Sequence, residues 1–161
     1  MSDLRVGIGV DAHVLAEGVP LVLGGVRIEY PRGLVGHSDG DVLTHALIDA
    51  LLGAAGLEDI GALFPSGESK WQGASSLDLL RIAYERVQDA GWELVNADCV
   101  LVGEEPRIAP HRDEMRARLA GAVGVKPDRV AVRATTTDGL GFTGRGEGLA
   151  AQAVALVRRR G

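Results

Sequence analysis

The sequence is poor in cysteine and in aromatic residues. It has one cysteine, and aromatic residues make up 4% of its 161 positions. A single cysteine excludes an internal disulfide, so we expect a reducing, cytoplasmic setting. That residue, Cys99, is followed by the apolar run Val100 to Val102, and we expect its thiol to be buried and unreactive.

Long apolar runs and an excess of basic charge are also missing. No stretch reaches the ~18 apolar residues of a membrane helix, and we expect no signal or transit peptide ahead of Leu4. The net charge of −5 argues against a general nucleic-acid binder, which normally needs a basic face. We therefore expect neither a membrane nor a nucleic-acid partner. An anionic small substrate stays compatible, because a metal and a few cations can reverse the charge of one pocket.

Periodicity and size predict a single α+β domain over residues 1–161. The predicted elements are strands at Arg5–Asp11, Trp92–Val102 and Arg129–Thr135, a hairpin at Leu21–Tyr30 turning at Gly24-Gly25, and helices from Asp41 to about Ala54, from Ser75 to Ala90 and from Pro110 to Ala122. The segment Leu149–Val157 is ambiguous, since its alanines suit a helix while its position suits a closing strand.

With that last segment as a strand, the order of elements predicts a mixed four-stranded sheet with helices on one face. The other face of the sheet then needs a cover. Long apolar strands in a chain with few aromatic residues can obtain that cover by self-association.

Three residues in the first third of the chain are candidate metal ligands. Asp11 and His13 lie two apart at the end of the first predicted strand, so their side chains share a face. His45 lies on the first helix, and Asp49 one turn later can accept its other imidazole N–H. Two histidines and one carboxylate with an open fourth position are typical of catalytic zinc. The alternatives are a hydrogen-bonded Asp-His surface pair and a solvated helical histidine.

A second candidate site follows the strand that ends near Thr135. Thr135, Thr136 and Asp138 precede the glycine-rich run from Gly139 to Gly148, in which hydroxyls and free backbone N–H groups can cradle phosphate oxygens. Asp138 can hold a hard cation such as Mg²⁺. The alternative is a glycine-rich turn between two strands, in which Arg145 and Glu147 pair with each other or with a neighbouring subunit.

Taken together, these segments resemble the 2-C-methyl-D-erythritol 2,4-cyclodiphosphate synthases of the non-mevalonate isoprenoid pathway. The resemblance runs from about Arg5 to Val157. The motifs that carry it are Gly9–His13, Leu23–Val26, His37–Asp41, His45–Leu47, Asp49–Ala54, Asp59–Gly61, Phe64-Pro65 and Ala134–Gly148.

The resemblance implies a reaction in which a cytidine-diphosphate derivative of methylerythritol 2-phosphate cyclises and releases CMP. It implies zinc, or another divalent transition metal, on Asp11, His13 and His45, and Mg²⁺ or Mn²⁺ at Asp138, where the family usually has Glu. It also implies a homotrimer with active sites between subunits and with Arg145 and Glu147 at its threefold axis.

Substrate contacts and catalytic roles are also implied by the resemblance. His37, Thr136 and Asp138 would act in catalysis. The other contacts would come from Ser38, Asp59, Ile60, Gly61, Pro106, Arg107, Thr135, Phe142 and Arg145. Two other hypotheses are a zinc hydrolase such as a phosphatase, and a structural trimer whose metal only ties a strand to a helix.

Overall fold

The computed structural model describes residues 3–161, which have the predicted α+β architecture. The strands in this range are β1 (Leu4–Glu17), β2 (Leu21–Leu23), β3 (Val26–Ile28), β4 (Arg32–Leu34), β5 (Trp92–Val102), β6 (Val130–Thr135) and β7 (Gly148–Arg159). The α-helices are α1 (Val42–Ala54), α2 (Ile60–Leu63), α3 (Ser76–Asp89), α4 (Arg112–Ala122) and α5 (Gly141–Gly144). Short 3₁₀ turns occupy Ser69–Trp71, Ala109–His111 and Pro127–Arg129.

The main sheet has five strands in the order β4-β1-β7-β5-β6, and β2 and β3 form the predicted separate hairpin. Strands β5 and β6 are parallel, whereas the other neighbours in the main sheet are antiparallel. The prediction of four strands was therefore wrong by one. The strand it lacks, β4, has only three residues, which is too short for a period-two pattern to reveal.

Two predicted strands have different limits or character in the structure. The segment Leu149–Val157 belongs to strand β7, so the helical alternative was wrong. Its alanines Ala151, Ala153 and Ala155 alternate with less buried residues and are themselves fully buried. Strand β1 continues to Glu17 rather than ending at Asp11, which places Asp11 and His13 inside the strand.

Helix α1 lies unusually close to strand β1 because glycine occupies two inward-facing positions of the strand. A Cβ atom at Gly7 would lie 2.0 Å from the Ala50 carbonyl oxygen, and one at Gly9 would lie 1.9 Å from the Ala46 carbonyl oxygen. Real Cβ atoms do not approach so closely, so a larger residue at either position would push the helix away. These two close contacts set the distance between β1 and α1. The contact of Gly9 with Ala46 does so directly beside His45.

The N-terminus of α1 is fixed by the carboxylate of Asp41, which is fully buried. It accepts hydrogen bonds from the N–H (3.1 Å) and the hydroxyl (2.7 Å) of Thr44. It also accepts the N–H groups of Gly24 (2.9 Å) and Gly25 (2.7 Å) at the hairpin turn. Burial raises the pKa of this carboxyl. One side chain thus caps the helix and ties the hairpin to it.

The second face of the main sheet is exposed in the single chain and carries a group of apolar side chains on β1 and β7. The members of this group that are exposed by 44–67% include Val6, Ile8, Val10, Val14 and Val154. Helices cover only the opposite face, where α1 packs against β1 and β7. Exposed apolar area of this kind is typical of an interaction surface.

Two further expectations concern the interior and the membrane. Cys99 is fully buried, as predicted, and burial raises the pKa of its thiol to about 12. Within residues 3–161, no helix is both long enough and apolar enough to span a bilayer.

Candidate metal centre

The three predicted metal ligands converge on one point. Their nearest atoms are separated by 2.8 Å (His13 Nε2 to Asp11 Oδ2), 3.0 Å (His45 Nδ1 to Asp11 Oδ2) and 3.2 Å (His13 Nε2 to His45 Nδ1). A tetrahedral zinc ion with bonds of about 2.0–2.1 Å holds its ligand atoms roughly 3.3 Å apart. The three atoms therefore already lie close to the spacing that such an ion requires, and the residues fit a divalent metal.

The outer nitrogens of both imidazoles are also engaged. His13 Nδ1 lies 3.0 Å from the Val35 carbonyl oxygen, which can only accept, so Nδ1 carries a proton and Nε2 is the nitrogen that faces the centre. His45 Nε2 lies 2.8 Å from the hydroxyl of Ser76 and 2.9 Å from that of Ser38. Both rings are thus oriented with one nitrogen toward the centre.

Asp49 does not take part in this arrangement, so the predicted contact with His45 was wrong. Its Oδ1 accepts the N–H of Ile60 at 2.7 Å, and burial raises the pKa of its carboxyl. The helical spacing does place Asp49 on the same side as His45. The free N–H at the start of α2 is its partner, whereas His45 turns toward serines that come from other segments.

The charges at the centre are strongly coupled. Burial alone would raise the pKa of the Asp11 carboxyl, but hydrogen bonds from His13 and His45 hold that pKa well below its usual range. The hydrogen bond to Asp11 in turn raises the pKa of His13. The centre therefore combines an ionised carboxylate with the imidazole of His13, whose proton a cation must displace.

A cleft of about 200 Å³ opens beside the three ligands. Four of the residues assigned to substrate binding or catalysis lie in its wall, namely His37, Ser38, Ile60 and Gly61. The ring of His37 is held by a hydrogen bond from Nε2 to the Glu68 carbonyl oxygen at 3.2 Å. Asp59 does not line the cleft, because its carboxylate caps α2 by accepting the Ala62 N–H at 2.9 Å.

The remaining predicted site residues do not line this cleft in the single chain. They are Pro106, Arg107, Thr135, Thr136, Asp138, Phe142 and Arg145. Asp138 has a positive φ of 53°, uncommon for a residue with a side chain, and its carboxylate lies 3.2 Å from the Thr136 hydroxyl. The N–H of Gly139 donates to Glu104 at 2.9 Å.

The end of the glycine-rich run is joined to β1. The N–H of Leu15 donates to the carbonyl oxygen of Glu147 at 2.9 Å. The guanidinium of Arg145 pairs with the carboxylate of Glu147 within the chain, with contacts of 3.0 and 3.2 Å. Phe142 is 43% exposed. The pairing of Arg145 with Glu147 was one of the two alternatives considered from the sequence.

Sequence reasoning missed several residues at the centre. Ser76 begins α3 and contacts His45, and Asp39 contacts Ser76, although neither had an assigned role. The cleft is also lined by Phe64, Ser66, Trp71 and Leu79. No sequence signal could have found these contacts, because Ser76 lies 31 residues from His45 and only the packing of α3 brings them together.

The fold and the centre define a class of protein: an α+β domain in which two histidines and one carboxylate form a candidate site for a divalent metal beside a cleft. The chain belongs to the YgbB family, whose profile matches residues 4–158. A protein of Moorella thermoacetica named 2-C-methyl-D-erythritol 2,4-cyclodiphosphate synthase is 57% identical, over 98% of this chain and 96% of its own. The protein of the same name from Rubrobacter xylanophilus is 59% identical, over 99% of this chain and 98% of its own.

Solved structures agree with these relatives. A structure of 2C-methyl-D-erythritol-2,4-cyclodiphosphate synthase, also solved in a CDP-bound form, superimposes with a TM-score of 0.87 at 40% identity, covering 95% of this chain and 99% of its own. The bifunctional IspDF of Campylobacter jejuni gives a TM-score of 0.95 at 41% identity over 99% of this chain, which spans 43% of that longer protein. The resemblance drawn from the sequence motifs is thereby confirmed.

Proposed function

We propose that this chain catalyses the metal-dependent cyclisation of 4-diphosphocytidyl-2-C-methyl-D-erythritol 2-phosphate to 2-C-methyl-D-erythritol 2,4-cyclodiphosphate, with release of CMP. The observation that carries the proposal is the convergence of Asp11, His13 and His45 at a cleft lined by His37 and Ser38. Relatives that are 57% and 59% identical over nearly the whole chain bear the name of this synthase, and one solved neighbour was obtained with CDP.

The reaction makes one phosphorus–oxygen bond and breaks another. An oxygen of the 2-phosphate attacks the β-phosphorus, and the bond from that phosphorus to the oxygen bridging it to the α-phosphorus breaks. CMP leaves with the α-phosphate, and the β-phosphate closes the ring. The attacking oxygen is already anionic, so no general base is needed, and catalysis reduces to alignment and neutralisation of charge.

The metal centre would supply the charge neutralisation on one side of the reacting phosphates. Zinc or another divalent transition metal held by Asp11, His13 and His45 supplies Lewis-acid polarisation of a phosphate oxygen when it is bound. The imidazole of His37 and the hydroxyl of Ser38 line the same cleft, where they can donate hydrogen bonds to the 2-phosphate. Ile60 and Gly61 would contact the erythritol, with Asp59 beside them.

The turn containing Thr135, Thr136 and Asp138 would bind the rest of the diphosphate. Asp138 offers a carboxylate and Thr136 a hydroxyl 3.2 Å away, and oxygen donors of this kind suit Mg²⁺ or Mn²⁺. Pro106 and Arg107 would hold the cytidine and add positive charge. Phe142 and Arg145 complete the set of proposed contacts.

The proposed assembly is a homotrimer in which each active site takes its metal ligands from one subunit and its cytidine pocket from the next. Two features support it. The outer face of the sheet is apolar and exposed by 44–67% at five side chains, and seven of the proposed contact residues lie away from the metal cleft of their own chain. A threefold assembly would bury that face and supply the cleft with its missing wall.

The hydrolase alternative finds less support. Among residues 3–161, Asp11 is the only carboxylate that lines the cleft, and it is a proposed metal ligand. Asp39 and Asp49 lie outside the cleft wall and accept hydrogen bonds from Ser76 and Ile60. A hydrolase would need a group free to activate water.

Phosphorus NMR on the cytidine-diphosphate substrate tests the proposal. With zinc and Mg²⁺ present, we expect one cyclic diphosphate and one equivalent of CMP. Inorganic phosphate as the only product would overturn the proposal in favour of a phosphatase. Release of phosphate from a simple phosphomonoester, measured beside it, separates a hydrolase from an inactive preparation.

A further inference from the structure

We propose that Asp39, acting through the hydroxyl of Ser76, is the positioning residue that sets the tautomer of His45 and thereby prepares Nδ1 of that ring for a cation. The inference rests on the proposed function, since it takes Asp11, His13 and His45 as metal ligands. It concerns two residues of this chain that have no assigned role in that function.

Both oxygens of the Asp39 carboxylate accept hydrogen bonds from Ser76, and we call this pair of bonds the clamp. Oδ2 accepts the backbone N–H of Ser76 at 3.0 Å, and Oδ1 accepts its hydroxyl in a short hydrogen bond. Oδ1 also accepts the N–H of Asp41 at 3.1 Å. The backbone of Asp39 is fixed as well, because its N–H donates to the Ala74 carbonyl oxygen at 3.1 Å. Ser76 is fully buried at the start of α3, so this clamp has little freedom to rearrange.

The clamp decides the direction of the next hydrogen bond. The Ser76 oxygen and Asp39 Oδ1 lie so close together that they would repel each other without a proton between them. The hydroxyl of Ser76 therefore donates its proton to Asp39. The Ser76 oxygen can then only accept from His45 Nε2, which lies 2.8 Å away. His45 must therefore carry a proton on Nε2. This leaves Nδ1, which lies 3.0 Å from Asp11 Oδ2 and 3.2 Å from His13 Nε2, as the nitrogen that can take a cation.

Ser38 differs from Ser76 in a way that assigns the two serines different tasks. Its hydroxyl also lies 2.9 Å from His45 Nε2, but it has no carboxylate partner and lines the cleft. Ser38 can turn toward a bound anion without disturbing the ring, because Ser76 keeps the Nε2 proton in place. The structure thus separates an orienting serine from a ligand-facing serine.

The test compares D39N with wild type in zinc binding, measured by competition with a chromophoric chelator and with zinc as the only added ligand. Asparagine has a single acceptor oxygen, and its NH₂ group opposes one of the two donors of Ser76. The hydroxyl of Ser76 then turns toward His45 and favours the wrong tautomer. We expect zinc affinity to fall by about 10–100-fold, the usual effect of losing a residue that orients a metal ligand.

The matched control is D78N, which removes the same charge from the first turn of α3. Asp78 is exposed and pairs with Arg81 at 2.7 Å. If only the charge near the helix N-terminus matters, D39N and D78N will both shift zinc affinity by less than about fivefold. Equal affinities for the two variants would overturn the inference.

Imidazole nitrogen NMR supplies the readout that a merely structural role would not move. In the metal-free wild type we expect Nε2 of His45 to be protonated, and in D39N we expect an increased share of rings protonated at Nδ1 alone. An unchanged tautomer in D39N would overturn the inference even if zinc affinity fell. This spectrum needs no metal, so its result does not depend on the proposed function. Failure of the wild type to bind zinc would contradict the proposed metal site, whereas the tautomer of His45 would still test the role of Asp39.

A pair of serine variants decides the matter if D39N does not fold, as judged by circular dichroism. S38A should keep zinc affinity within about fivefold of wild type, and S76A should lose more, with Ser38 left as substitute acceptor. The double variant should lose about 10–100-fold, as for D39N. S38A and S76A with equal effects would contradict the separation of tasks.

Discussion

The metal centre and the glycine-rich run from Gly139 to Gly148 differ in how far a single chain completes them. At the centre, both nitrogens of His13 and His45 have partners, and the ligands come from β1 and α1 with support from the start of α3. In the run, Leu140 is 73% exposed and Phe142 is 43% exposed. Its hydrogen bonds to the rest of the fold are few, and include those to Leu15 and Arg32.

This difference teaches that one half of the proposed active site is preorganised within the subunit and the other half is presented outward. A centre whose ligand atoms lie 2.8–3.2 Å apart needs little rearrangement to receive a cation. Under the proposed function, the exposed run of glycines and hydroxyls acts only against the surface of a neighbouring subunit.

The largest effect is expected from H45A. Loss of one ligand should remove zinc binding and lower the rate of CMP release by about 10³-fold or more, since a metal contributes several kcal/mol of charge stabilisation. The protein should remain folded and assembled, measured by circular dichroism and sedimentation. H111A, which changes a histidine outside the centre, should retain both zinc binding and the rate of CMP release. An unfolded H45A protein would instead favour the structural-metal hypothesis.

I8E should prevent the proposed assembly of subunits and leave the metal centre intact. Ile8 is 64% exposed on the outer face of the sheet, and burying an unpaired carboxylate there costs several kcal/mol per subunit. We expect monomers that bind zinc with affinity within about tenfold of wild type but release no CMP. Analytical ultracentrifugation and chelator competition provide the measurement, with I8L as the volume-conserving control. A wild-type protein that is itself monomeric would contradict the proposed assembly.

D138N should impair the phosphate-binding half alone. Losing the carboxylate should lower the rate by about 10–100-fold and raise the Mg²⁺ concentration needed for half-maximal rate, with zinc affinity unchanged. D138E, which retains the carboxylate, should recover most of the rate, and D128N, an exposed change elsewhere, should have no effect. A drop in zinc affinity equal to the drop in rate would show that the two halves are not separate.

The smallest expected effect concerns folding stability: zinc should reverse the way in which the stability contributed by the metal centre depends on pH. Without metal, His13 has a raised pKa, so its stabilisation is complete below about pH 6.5 and is lost as pH rises through the folded-state pKa. Asp11 has a lowered pKa, so its stabilisation is present above about pH 4 and is lost as pH falls further. The two shifts describe one shared interaction and are counted once.

Saturating zinc should invert the upper part of that profile, because protons no longer compete for His13 once the pH exceeds its raised pKa. Thermal melting between about pH 5 and pH 8 should therefore show the metal-free protein losing stability and the zinc-loaded protein gaining it. Parallel profiles with and without zinc would place the metal elsewhere. H13A is the control in which both slopes should flatten.

Sequence alone predicted the α+β class, the hairpin at Gly24-Gly25 and the grouping of the three candidate metal ligands, because these depend on local periodicity and on unusual residues. It did not reveal β4, whose three residues pair with the far end of β1. It left Leu149–Val157 open, since alanine suits both helices and tightly packed strands. The buried alternation of β7 becomes visible only once α1 lies against it.

The contacts around His45 show why site prediction stopped where it did. Asp49 was the nearest acceptor along the helix, but packing gave it Ile60 and gave His45 the hydroxyl of Ser76. Helical spacing predicts which residues share a side. Helical spacing cannot predict which distant segment packs against that side.

The most direct test of the account is complementation between two impaired variants, H45A and D138A, assembled together and assayed for CMP release. If each active site combines the metal ligands of one subunit with the diphosphate-binding turn of the next, about one site in four in a random mixture has both halves intact. The mixture should then recover roughly a quarter of wild-type activity, far above either variant alone. Activity no higher than the average of the two separate variants, in assemblies shown to be mixed, would contradict the account.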